Sequence, residues 1–491
     1  MSAKFSLRDR SPMNSSWVWK KKLPRFIAAA SLVGTFFIFF GPHFSHHAQK
    51  QEVIQATQEA AAENITVTAH VGCEPDLDIL ERLGVKKVSQ YVRREVVAVQ
   101  SPSDLPLLQT LDTPLFDQRS AGKKASVSSG LLQDDCSIPG QLSLEVPRSS
   151  LNVDASHFDF GVATTVDRLS ESLDAFAHWA GHTRTRIFAL VEPDDRVSEV
   201  LAKAEKLGVN LVVTQSNEEY QTRYFSLISH LAKNAREETR WSCIIDDDTF
   251  FLSMAALVEA FEKYDHTQPM YIGGVSESVA QIGLFGLMGF GGAGVFLSRP
   301  LVEQLSKPEV TNACQGMEYT GDRRISLCVY QYSSAYLTID HRLRQLDFRG
   351  DATGFFEAAR PPPLSVHHWK SWFHADMAKL SKVSEICGGS CLLRKWRFSD
   401  GWILTNGFSI SKHSSEISPD DISMELTWDG DHSANREAFM HELGPLREKD
   451  DGKVSYLLVD SVIENDRVRQ WYILRDSTRG DQIMELIWRK Q

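Results

Sequence analysis

Residues 241–248 read WSCIIDDD, so an apolar run leads directly into three consecutive carboxylates, Asp246, Asp247 and Asp248. The apolar part is typical of a buried strand, and the ligand crevice of a parallel sheet lies at the carboxyl ends of its strands. Carboxylates this close repel one another in a partly buried setting unless a cation balances them. The stretch therefore predicts a site for a hard divalent cation such as Mg²⁺ or Mn²⁺, with a solvated acidic turn as the alternative.

Strand-like and helix-like patterns alternate on both sides of this stretch. Residues 158–164, 186–191 and 209–214 are strand-like runs, and apolar residues at helical spacing follow the first and the third of them. After the acids, Ser253 is a good N-cap for a helix whose buried face contains Met254, Leu257 and Phe261. Between about residue 156 and residue 350 the alternation predicts an α/β domain with a mainly parallel sheet.

Length and composition describe a folded, acidic protein. The chain has 491 residues, of which 42% are hydrophobic and 24% charged. This is enough apolar material for two or three packed domains and too much for general disorder. The formal net charge is −11, which gives little electrostatic basis for binding phosphate backbones, so we expect no nucleic-acid partner.

The N-terminus has the opposite charge and predicts a membrane anchor. Basic residues at 20–22 and 25 precede an apolar run that extends to residue 44. The run is at the short end of the roughly 17 to 25 residues that a spanning helix needs, and its basic side stays cytosolic. We therefore expect a cytosolic tail over residues 1–25, one transmembrane helix over 26–44, and a single-pass type II protein of the Golgi or ER membrane. A cleaved signal peptide is the alternative.

Two further features fit a luminal location. Asn64 begins the glycosylation sequon Asn64-Ile65-Thr66, and disulfides persist in the secretory compartments. Cys243, which lies in an apolar strand pattern, is expected to be a buried free thiol. The candidate disulfide pairs are Cys73 with Cys136, Cys314 with Cys328, and Cys387 with Cys391.

The pattern changes on both sides of the α/β segment. Residues 45–150 predict a stem followed by a partly ordered juxtamembrane region. Residues 151–385 predict the α/β domain. Over residues 386–491 short strand-like runs follow one another, which predicts a small, appended antiparallel β subdomain.

Four blocks of the sequence resemble, in content and in order, the fringe-type branch of glycosyltransferase family 31, which includes the fringe N-acetylglucosaminyltransferases and the core 1 β-1,3-galactosyltransferases. The blocks are 241–248 (WSCIIDDD), 291–298 (GGAGVFLS), 321–326 (GDRRIS) and 365–369 (SVHHW). The resemblance covers roughly residues 156–373. It implies a GT-A fold with a Rossmann-like, mostly parallel sheet, a nucleotide-sugar donor, Mn²⁺ or another divalent cation, and inversion at the anomeric carbon.

The resemblance also implies how the metal is held. Asp248 matches the direct metal ligand, and His367 matches the family's late metal-binding histidine, with His368 as the alternative if the register differs by one. Asp246 and Asp247 then lie on the donor-binding side. The chemistry agrees, because a divalent cation that bridges a diphosphate stabilises the charge that builds on the leaving group.

Asp322 matches the acid that serves the family as catalytic base. An inverting displacement needs such a base to accept the proton of the acceptor hydroxyl as the new bond forms. The alternative is a first-turn acid of a helix, because apolar residues follow it at helical positions, and both interpretations can hold together. The family commonly has another acid just before this one, where this chain has Gly321.

The first strand ends in residues that resemble the family's donor-binding end. They are Thr164, Thr165 and Arg168. A guanidinium at this place is available to the donor diphosphate. A surface salt bridge is the alternative for Arg168.

The acceptor side is predicted from glycines and from an aromatic group. Gly291 and Gly292 let the backbone approach a ligand closely. Trp369, with Trp372 and Phe373 nearby, offers an apolar face to a sugar ring. Core packing explains these aromatic residues equally well.

Three functional hypotheses follow. The first is an inverting, Mn²⁺-dependent glycosyltransferase that moves a hexose or N-acetylhexosamine from a UDP-sugar to a glycan or glycoprotein acceptor, with a β-1,3 linkage by analogy. The second is a relative of the same fold that has lost turnover and acts as a luminal lectin or assembly factor. The third is a phosphatase of the haloacid dehalogenase type, whose Asp-x-Asp motif calls for Thr or Val where this chain has Phe250.

Overall fold

The computed structural model describes residues 66–67, 77–102, 104–116, 141–148, 153–319, 321–418, 421–429 and 436–491. All of them belong to one compact unit, Glu63–Gln491. The predicted cytosolic tail, membrane anchor and sequon at Asn64, and the candidate pair Cys73–Cys136, lie outside the described residues. None of the helices in these ranges has the length and apolar character needed to cross a membrane.

Strands and helices are numbered in chain order. The strands are β1 (Thr66–Val67), β2 (Lys87–Ser101), β3 (Leu108–Thr110), β4 (Leu142–Pro147), β5 (Phe158–Ala163), β6 (Arg186–Val191), β7 (Leu211–Gln215), β8 (Trp241–Ile245), β9 (Phe250–Phe251), β10 (Tyr271–Gly273), β11 (Val295–Ser298), β12 (Leu337–Ile339), β13 (Arg349–Gly350), β14 (Ser365–Val366), β15 (Lys395–Arg397), β16 (Ile403–Thr405), β17 (Ser409–Lys412), β18 (Met424–Glu425), β19 (Trp428–Asp429), β20 (Leu446–Arg447), β21 (Val454–Glu464), β22 (Arg467–Leu474) and β23 (Asp481–Lys490). The α-helices are α1 (Leu77–Arg82), α2 (Val166–Ala180), α3 (Val197–Lys206), α4 (Tyr220–Asn234), α5 (Met254–Phe261), α6 (Val279–Phe285), α7 (Arg299–Leu305), α8 (Pro308–Gln315), α9 (Gly321–Tyr332), α10 (Thr353–Glu357), α11 (Met377–Leu380), α12 (Ser384–Cys387) and α13 (Met440–Leu443).

The predicted α/β segment forms a seven-stranded sheet in the order β12-β10-β11-β8-β5-β6-β7. The pairs β5–β6, β6–β7 and β5–β8 are parallel, and β11 runs antiparallel to both of its neighbours. Strands β6 and β8 have the predicted bounds. Ser253 caps α5 as predicted, because its hydroxyl accepts from the backbone N–H of Ala256. The mixed α/β fold is confirmed.

Both faces of this sheet are buried, which explains why its strands read as continuous apolar runs. In β6, Ile187 and Ala189 belong to the apolar cluster that contains Leu169 of α2. Phe188 lies between them in sequence and belongs to the second cluster, together with Leu231 of α4. Because helices cover both faces, polar groups that serve a ligand are left to the ends of the strands.

A second, ten-stranded sheet has the order β1-β2-β23-β22-β21-β17-β16-β15-β3, with β4 paired to β2. Within this sheet the pairs among β15, β16, β17, β21, β22 and β23 are antiparallel, as predicted, whereas β18 and β20 form a separate parallel pair. The long strand β2 pairs in parallel with β23, from Val88 opposite Asp481 to Ala98 opposite Lys490. The two ends of the described chain therefore share one sheet.

This shared sheet corrects the predicted organisation of the flanks. A separate C-terminal subdomain is not confirmed, because β2, β3 and β4 from the expected juxtamembrane region are strands of the same sheet as β21–β23. Within the region expected to be partly ordered, residues 87–101 form a strand of 15 residues. Charged residues obscure the first half of this strand in the sequence, and one of them, Arg93, donates to the buried carboxylate of Glu485 on β23 at 2.5 Å.

A two-stranded ribbon connects the first sheet to the predicted site. Strand β9 pairs antiparallel with β14, with Phe250 opposite Val366 and Phe251 opposite Ser365. Asp248 stands two residues before this pairing begins on one strand, and His367 follows directly on the other. The register therefore brings both side chains to the same end of the ribbon.

Two of the candidate disulfides are formed. Cys314 and Cys328 join α8 to α9 with a Cα–Cα distance of 5.6 Å. Cys387 and Cys391 are bonded to each other with a Cα–Cα distance of 5.8 Å. Cys243 is a buried free thiol, as predicted. The first of these bonds fixes the helix whose first turn carries Asp322.

Candidate functional site

A cleft opens at the carboxyl ends of β5 and β8, where the sheet topology leads us to expect a site. It is lined by the ends of both strands, by parts of α2 and α4, and by the segment after β14. The lining residues are Ala163, Thr164, Thr165, Arg168, Tyr220, Asp246, Asp247, Asp248, His367, His368, Ser371 and Trp372. All residues predicted for the donor side and for the metal are in this set.

His367 brings the two halves of the predicted metal site together. Its Nε2 lies 2.9 Å from Oδ1 of Asp248 and 3.4 Å from Oδ2 of Asp246. The imidazole is buried, at 4% exposure, and its Nδ1 has no hydrogen-bond partner in the described residues. Two acids of the triplet, Asp246 and Asp248, thus converge with a histidine more than 100 residues away in sequence.

Electrostatics at this point favour a positive charge. Burial opposes protonation of His367, but Asp248 and Asp246 outweigh it and raise its pKa to about 10. Burial raises the pKa of Asp248, but the histidine outweighs it and holds that pKa at about 2. The two carboxylates thus hold a positive charge, the proton on the imidazole. A divalent metal ion that displaces this proton would be bound by the same carboxylate oxygens and imidazole nitrogen.

His368 belongs to the same cluster but is held differently. Asp248, His367 and His368 each offer a ligand atom, and these atoms all lie within 4.8 Å of one another. The Nε2 of His368 lies 3.1 Å from a carboxylate oxygen of Asp347, and its ring stacks on Trp372 at 3.9 Å between centroids. Its φ of 60° is in the left-handed region, a conformation that persists only where the surroundings fix it.

The structure places Asp247 and Arg168 against each other. The guanidinium donates from Nε at 2.6 Å and from Nη2 at 2.5 Å to the two oxygens of Asp247, and the Thr164 hydroxyl donates to the same carboxylate. Thr165 caps α2, because its side chain accepts from the backbone N–H of Arg168. The salt bridge that was the alternative for Arg168 therefore exists, although 60% of its side chain remains exposed in the cleft.

Asp322 lies in the first turn of α9, and its carboxylate is held from two sides. Oδ1 accepts from the Tyr224 hydroxyl at 2.5 Å, and Oδ2 accepts from the backbone N–H of Gly291 at 2.9 Å. Burial, with a smaller contribution from Asp246, raises the pKa of Asp322 to about 6. A carboxylate of this kind is ionised at neutral pH and is still basic enough to accept a proton.

The turn Gly291–Ala293 packs directly behind these groups. A Cβ on Gly292 would lie 2.2 Å from Nδ1 of His367, and a Cβ on Gly291 would lie 2.1 Å from the hydroxyl oxygen of Tyr224. The glycines are therefore required for close approach, as predicted from the sequence, but the neighbours they admit are protein groups. Neither glycine lines the cleft, and their acceptor-side role stays a prediction.

The aromatic residues beside the histidines divide into two groups. Trp369 is buried, at 8% exposure, and packs in the main apolar cluster, which supports the core-packing interpretation. Trp372 lines the cleft. Its ring is already stacked on His368 and lies 4.4 Å from the guanidinium carbon of Arg349, so a sugar-stacking role at this aromatic group stays a prediction.

Sequence reasoning missed three polar groups of the site: the hydroxyls of Tyr224 and Tyr220 and the carboxylate of Asp347. Tyr224 reads as an ordinary apolar-face position of α4, and Asp347 lies outside the four blocks. Tyr220 lines the cleft from the start of α4. The available signal was that α4 follows a parallel strand, so its N-terminal turn points toward the edge of the sheet where ligands bind.

Comparisons with known proteins agree with this geometry. Residues 167–344 match the family model described as Fringe-like. A comparison with curated protein sequences finds no match.

Three similar solved structures are glycosyltransferases. The first is GlyE of Streptococcus pneumoniae TIGR4 in its apo form, with 14% identity over 44% of this chain and 55% of that chain and a TM-score of 0.31. The second is galactosyltransferase LgtC in complex with donor and acceptor sugar analogs, with 13% identity over 43% of this chain and 86% of that chain and a TM-score of 0.29. The third is mouse xyloside xylosyltransferase 1, with 10% identity over 43% of this chain and 97% of that chain and a TM-score of 0.29. The chain thus spans about half the length of GlyE. At these TM-scores the family match is the finding that carries weight. It confirms the resemblance for three of the four blocks, those at 241–248, 291–298 and 321–326: residues 167–344 of this chain are a Fringe-like domain.

Proposed function

We propose that the chain is an inverting, cation-dependent glycosyltransferase with a GT-A fold. It transfers a hexose or N-acetylhexosamine from a UDP-sugar to a glycan or glycoprotein acceptor, with a β-1,3 linkage expected by family analogy. The observation that carries the proposal is the approach of His367 Nε2 to Asp248, at 2.9 Å, and to Asp246, at 3.4 Å, in one cleft with Arg168. The Fringe-like match over residues 167–344 supports the donor class.

Asp248 and His367 are the proposed cation ligands, with Asp246 beside them and His368 as a further candidate. Carboxylate oxygens combined with imidazole suit Mn²⁺. When bound, the cation neutralises the charge that develops on the leaving diphosphate. Arg168 offers the N–H groups that Asp247 does not use to the same phosphates, since a guanidinium has five donors.

Asp322 is the proposed base. In the transfer step the bond between the anomeric carbon and the donor phosphate oxygen breaks, and its electron pair leaves with the diphosphate. The acceptor oxygen bonds to the same carbon from the opposite face, and its proton passes to Asp322. Tyr224 and the N–H of Gly291 orient the carboxylate, and each of its oxygens keeps a second lone pair for the incoming proton.

We also propose that the protein is a type II protein of the Golgi or ER membrane, with its catalytic domain in the lumen. Two disulfides, Cys314–Cys328 and Cys387–Cys391, support an oxidising compartment. An N-terminal epitope tag tests this location. The tag should remain on the mature, membrane-bound protein and be digested by protease added outside intact microsomes, whereas loss of the tag would indicate a cleaved signal peptide.

The decisive experiment separates donor binding from transfer. A panel of UDP-sugars is assayed with and without Mn²⁺, and binding of UDP is measured by calorimetry on the same proteins. Asp248→Asn should lose Mn²⁺-dependent UDP binding and transfer. Asp322→Asn should retain UDP binding but transfer at least about a hundredfold more slowly. Asp195→Asn, which changes an exposed acid outside the cleft, is the matched control.

Other outcomes distinguish the remaining hypotheses. Normal turnover in both site variants contradicts the proposal. UDP binding by the wild-type chain without transfer or donor hydrolysis favours a lectin or assembly factor. Phosphate release from an aryl phosphate, with no use of UDP-sugars, favours the phosphatase.

A further inference from the structure

Two adjoining cavities in the described part of the chain are lined by cations and by no Asp or Glu residue. Arg360 and Arg394 line the first, and Arg342, Arg344, Arg360 and Lys395 line the second. The cavities share Arg360 and the wall formed by residues 362–363. This concentration of positive charge contrasts with the net charge of −11 of the whole chain.

Two of the five cations are already neutralised. Arg342 donates to Asp340 at 2.6 Å, and Arg344 donates to Glu442 at 2.9 Å. These pairs explain the presence of both residues without any ligand. They do not account for the remaining three cations.

Arg360, Arg394 and Lys395 have backbone carbonyls as their hydrogen-bond acceptors and no carboxylate within ion-pair distance among the described residues. Arg360 donates from Nε to the carbonyl of residue 422 at 2.7 Å, Arg394 from Nη1 to that of residue 106 at 2.8 Å, and Lys395 to that of residue 393 at 3.2 Å. A guanidinium has five N–H donors, so both arginines keep donors for another acceptor.

Of the three remaining cations, Lys395 has the greatest need for a counter-charge. It is only 5% exposed, and burial lowers its pKa to about 8. Glu357, the acid that counteracts this shift of the pKa, is itself paired with Lys453 at 3.0 Å. A buried ammonium without a counter-charge is costly, and an anion in the cavity that Lys395 lines would offset that cost.

We propose that these adjoining cavities form a binding site for an oxyanion group, a phosphate, sulfate or carboxylate. Arg360, which lines both cavities, is its central cation, with Arg394 on the side of the first cavity and Lys395 on the side of the second. Phe355 and Phe356 line the same space, and their low polarity strengthens each interaction between cation and anion. The occupant is therefore an anionic group whose attached body contacts apolar side chains.

This site is distinct from the donor cleft. Among the residues that the structure describes, none lines both the cleft and either cavity. Leu252 and Leu364 line the first cavity, whereas Asp248 and His367 lie at the other end of the β9–β14 ribbon. The diphosphate of a donor in the cleft is therefore not the anion that this second site accommodates.

Inorganic phosphate is the first probe, and it is titrated into the full chain by calorimetry at constant ionic strength. We expect one saturable site, with inorganic sulfate competing for it. The double variant Arg360→Gln/Arg394→Gln should bind phosphate at least about tenfold more weakly, because each lost charge-assisted hydrogen bond contributes roughly 1.5 kcal/mol or more. Glucuronate, compared with glucose, reveals whether a carboxylate on a sugar is also accepted.

Two controls locate the binding. Arg168→Gln removes the exposed guanidinium of the donor cleft and should leave phosphate binding unchanged, as should Lys206→Gln, which alters an exposed lysine that lines neither cavity. Lys395→Met, which removes the buried charge, should also weaken binding and covers the case in which the double variant does not fold. Absence of saturable binding at millimolar phosphate, or binding that is lost in Arg168→Gln and retained in the double variant, would overturn the proposal.

Discussion

Gly292 leaves no room for even one additional methyl group behind the proposed metal ligand. A Cβ there would lie 2.2 Å from Nδ1 of His367, which is far inside van der Waals contact, so the imidazole would have to move away from Asp248. Changes to the groups that orient a metal ligand commonly cost about 10- to 100-fold in metal affinity or activity. We therefore expect Gly292→Ala to weaken Mn²⁺ activation by about that factor, measured as the Mn²⁺ concentration that gives half-maximal transfer.

Gly283 supplies the matched control. A Cβ built there meets no atom within 4 Å, and the residue lies inside helix α6, where Gly is less stable than Ala by about 0.5–1 kcal/mol. Gly283→Ala should therefore keep full activity and resist unfolding slightly better. Wild-type Mn²⁺ dependence in Gly292→Ala would show that the position of His367 does not matter for the metal.

A second residue prediction concerns the pH profile. Burial and Asp246 raise the pKa of Asp322 to about 6, and a base must be ionised to accept a proton, so kcat/KM should fall as the pH drops through about 6. The Tyr224 hydroxyl stabilises the ionised form of Asp322. Tyr224→Phe should therefore raise the pKa and move this limb to higher pH. Tyr330→Phe, which alters a hydroxyl bonded to a backbone carbonyl, should leave the limb in place, and an unmoved limb in Tyr224→Phe would assign the titration to another group.

The sequence could predict those residues of the candidate site whose role is indicated by the residues next to them in the chain. Asp248 follows an apolar strand, and His367 stands in a block that resembles a family. Tyr224 and Asp347 act through contacts between distant segments, and nothing in their local sequence distinguishes them from ordinary helix and loop residues. For Arg168 the sequence offers a surface salt bridge as the alternative and does not indicate Asp247 as the partner, because sequence cannot tell whether a guanidinium faces a ligand or a neighbouring carboxylate.

Among the elements, helix α9 positions Asp322 and depends on a disulfide. Cys314 and Cys328 are separated by 14 residues, and a cross-link of that loop length contributes about 3 kcal/mol to stability. We expect the Cys314→Ala/Cys328→Ala variant to lose about that much unfolding free energy in urea denaturation. The pair Cys387–Cys391 has a separation of 4 residues, so its removal should cost less. An unchanged urea midpoint for the first variant would mean that the bond is absent from the native protein.

A helix or strand could be predicted where its local sequence pattern matches its burial in the folded protein. Strands β6 and β8 are buried on both faces and flanked by helices, so their apolar runs predict bounds that the structure reproduces. Strand β2, in contrast, could not be predicted at its full length from its local sequence. It pairs in parallel with the C-terminal strand, and parallel pairing leaves no hairpin turn to read in the sequence. It also contains several charged residues, which are typical of a partly ordered segment, although Arg93 donates to the buried Glu485 across the sheet.

In the molecule as a whole, that pairing makes the two ends of the described chain interdependent. The fully buried carboxylate of Glu485 accepts from Tyr91 at 2.7 Å and from Arg93 at 2.5 Å, both on β2, and from Arg469 on β22 at 2.6 Å. Without β2 this buried charge would keep one of its three partners, and the backbone edge of β23 would be unpaired. Both changes destabilise a sheet and favour aggregation.

The last prediction is therefore a contrast between two deletions. A chain without residues 77–148, the region that the sequence suggests is partly ordered, should fail to form the ten-stranded sheet and should lose protease resistance over residues 395–490. A chain without residues 1–62, which lie outside the compact unit Glu63–Gln491, should unfold in a cooperative transition with wild-type protease resistance, measured by circular dichroism and limited proteolysis. A protease-resistant C-terminal fragment in the first deletion would contradict the shared sheet, because it would show that β15–β23 fold without β2.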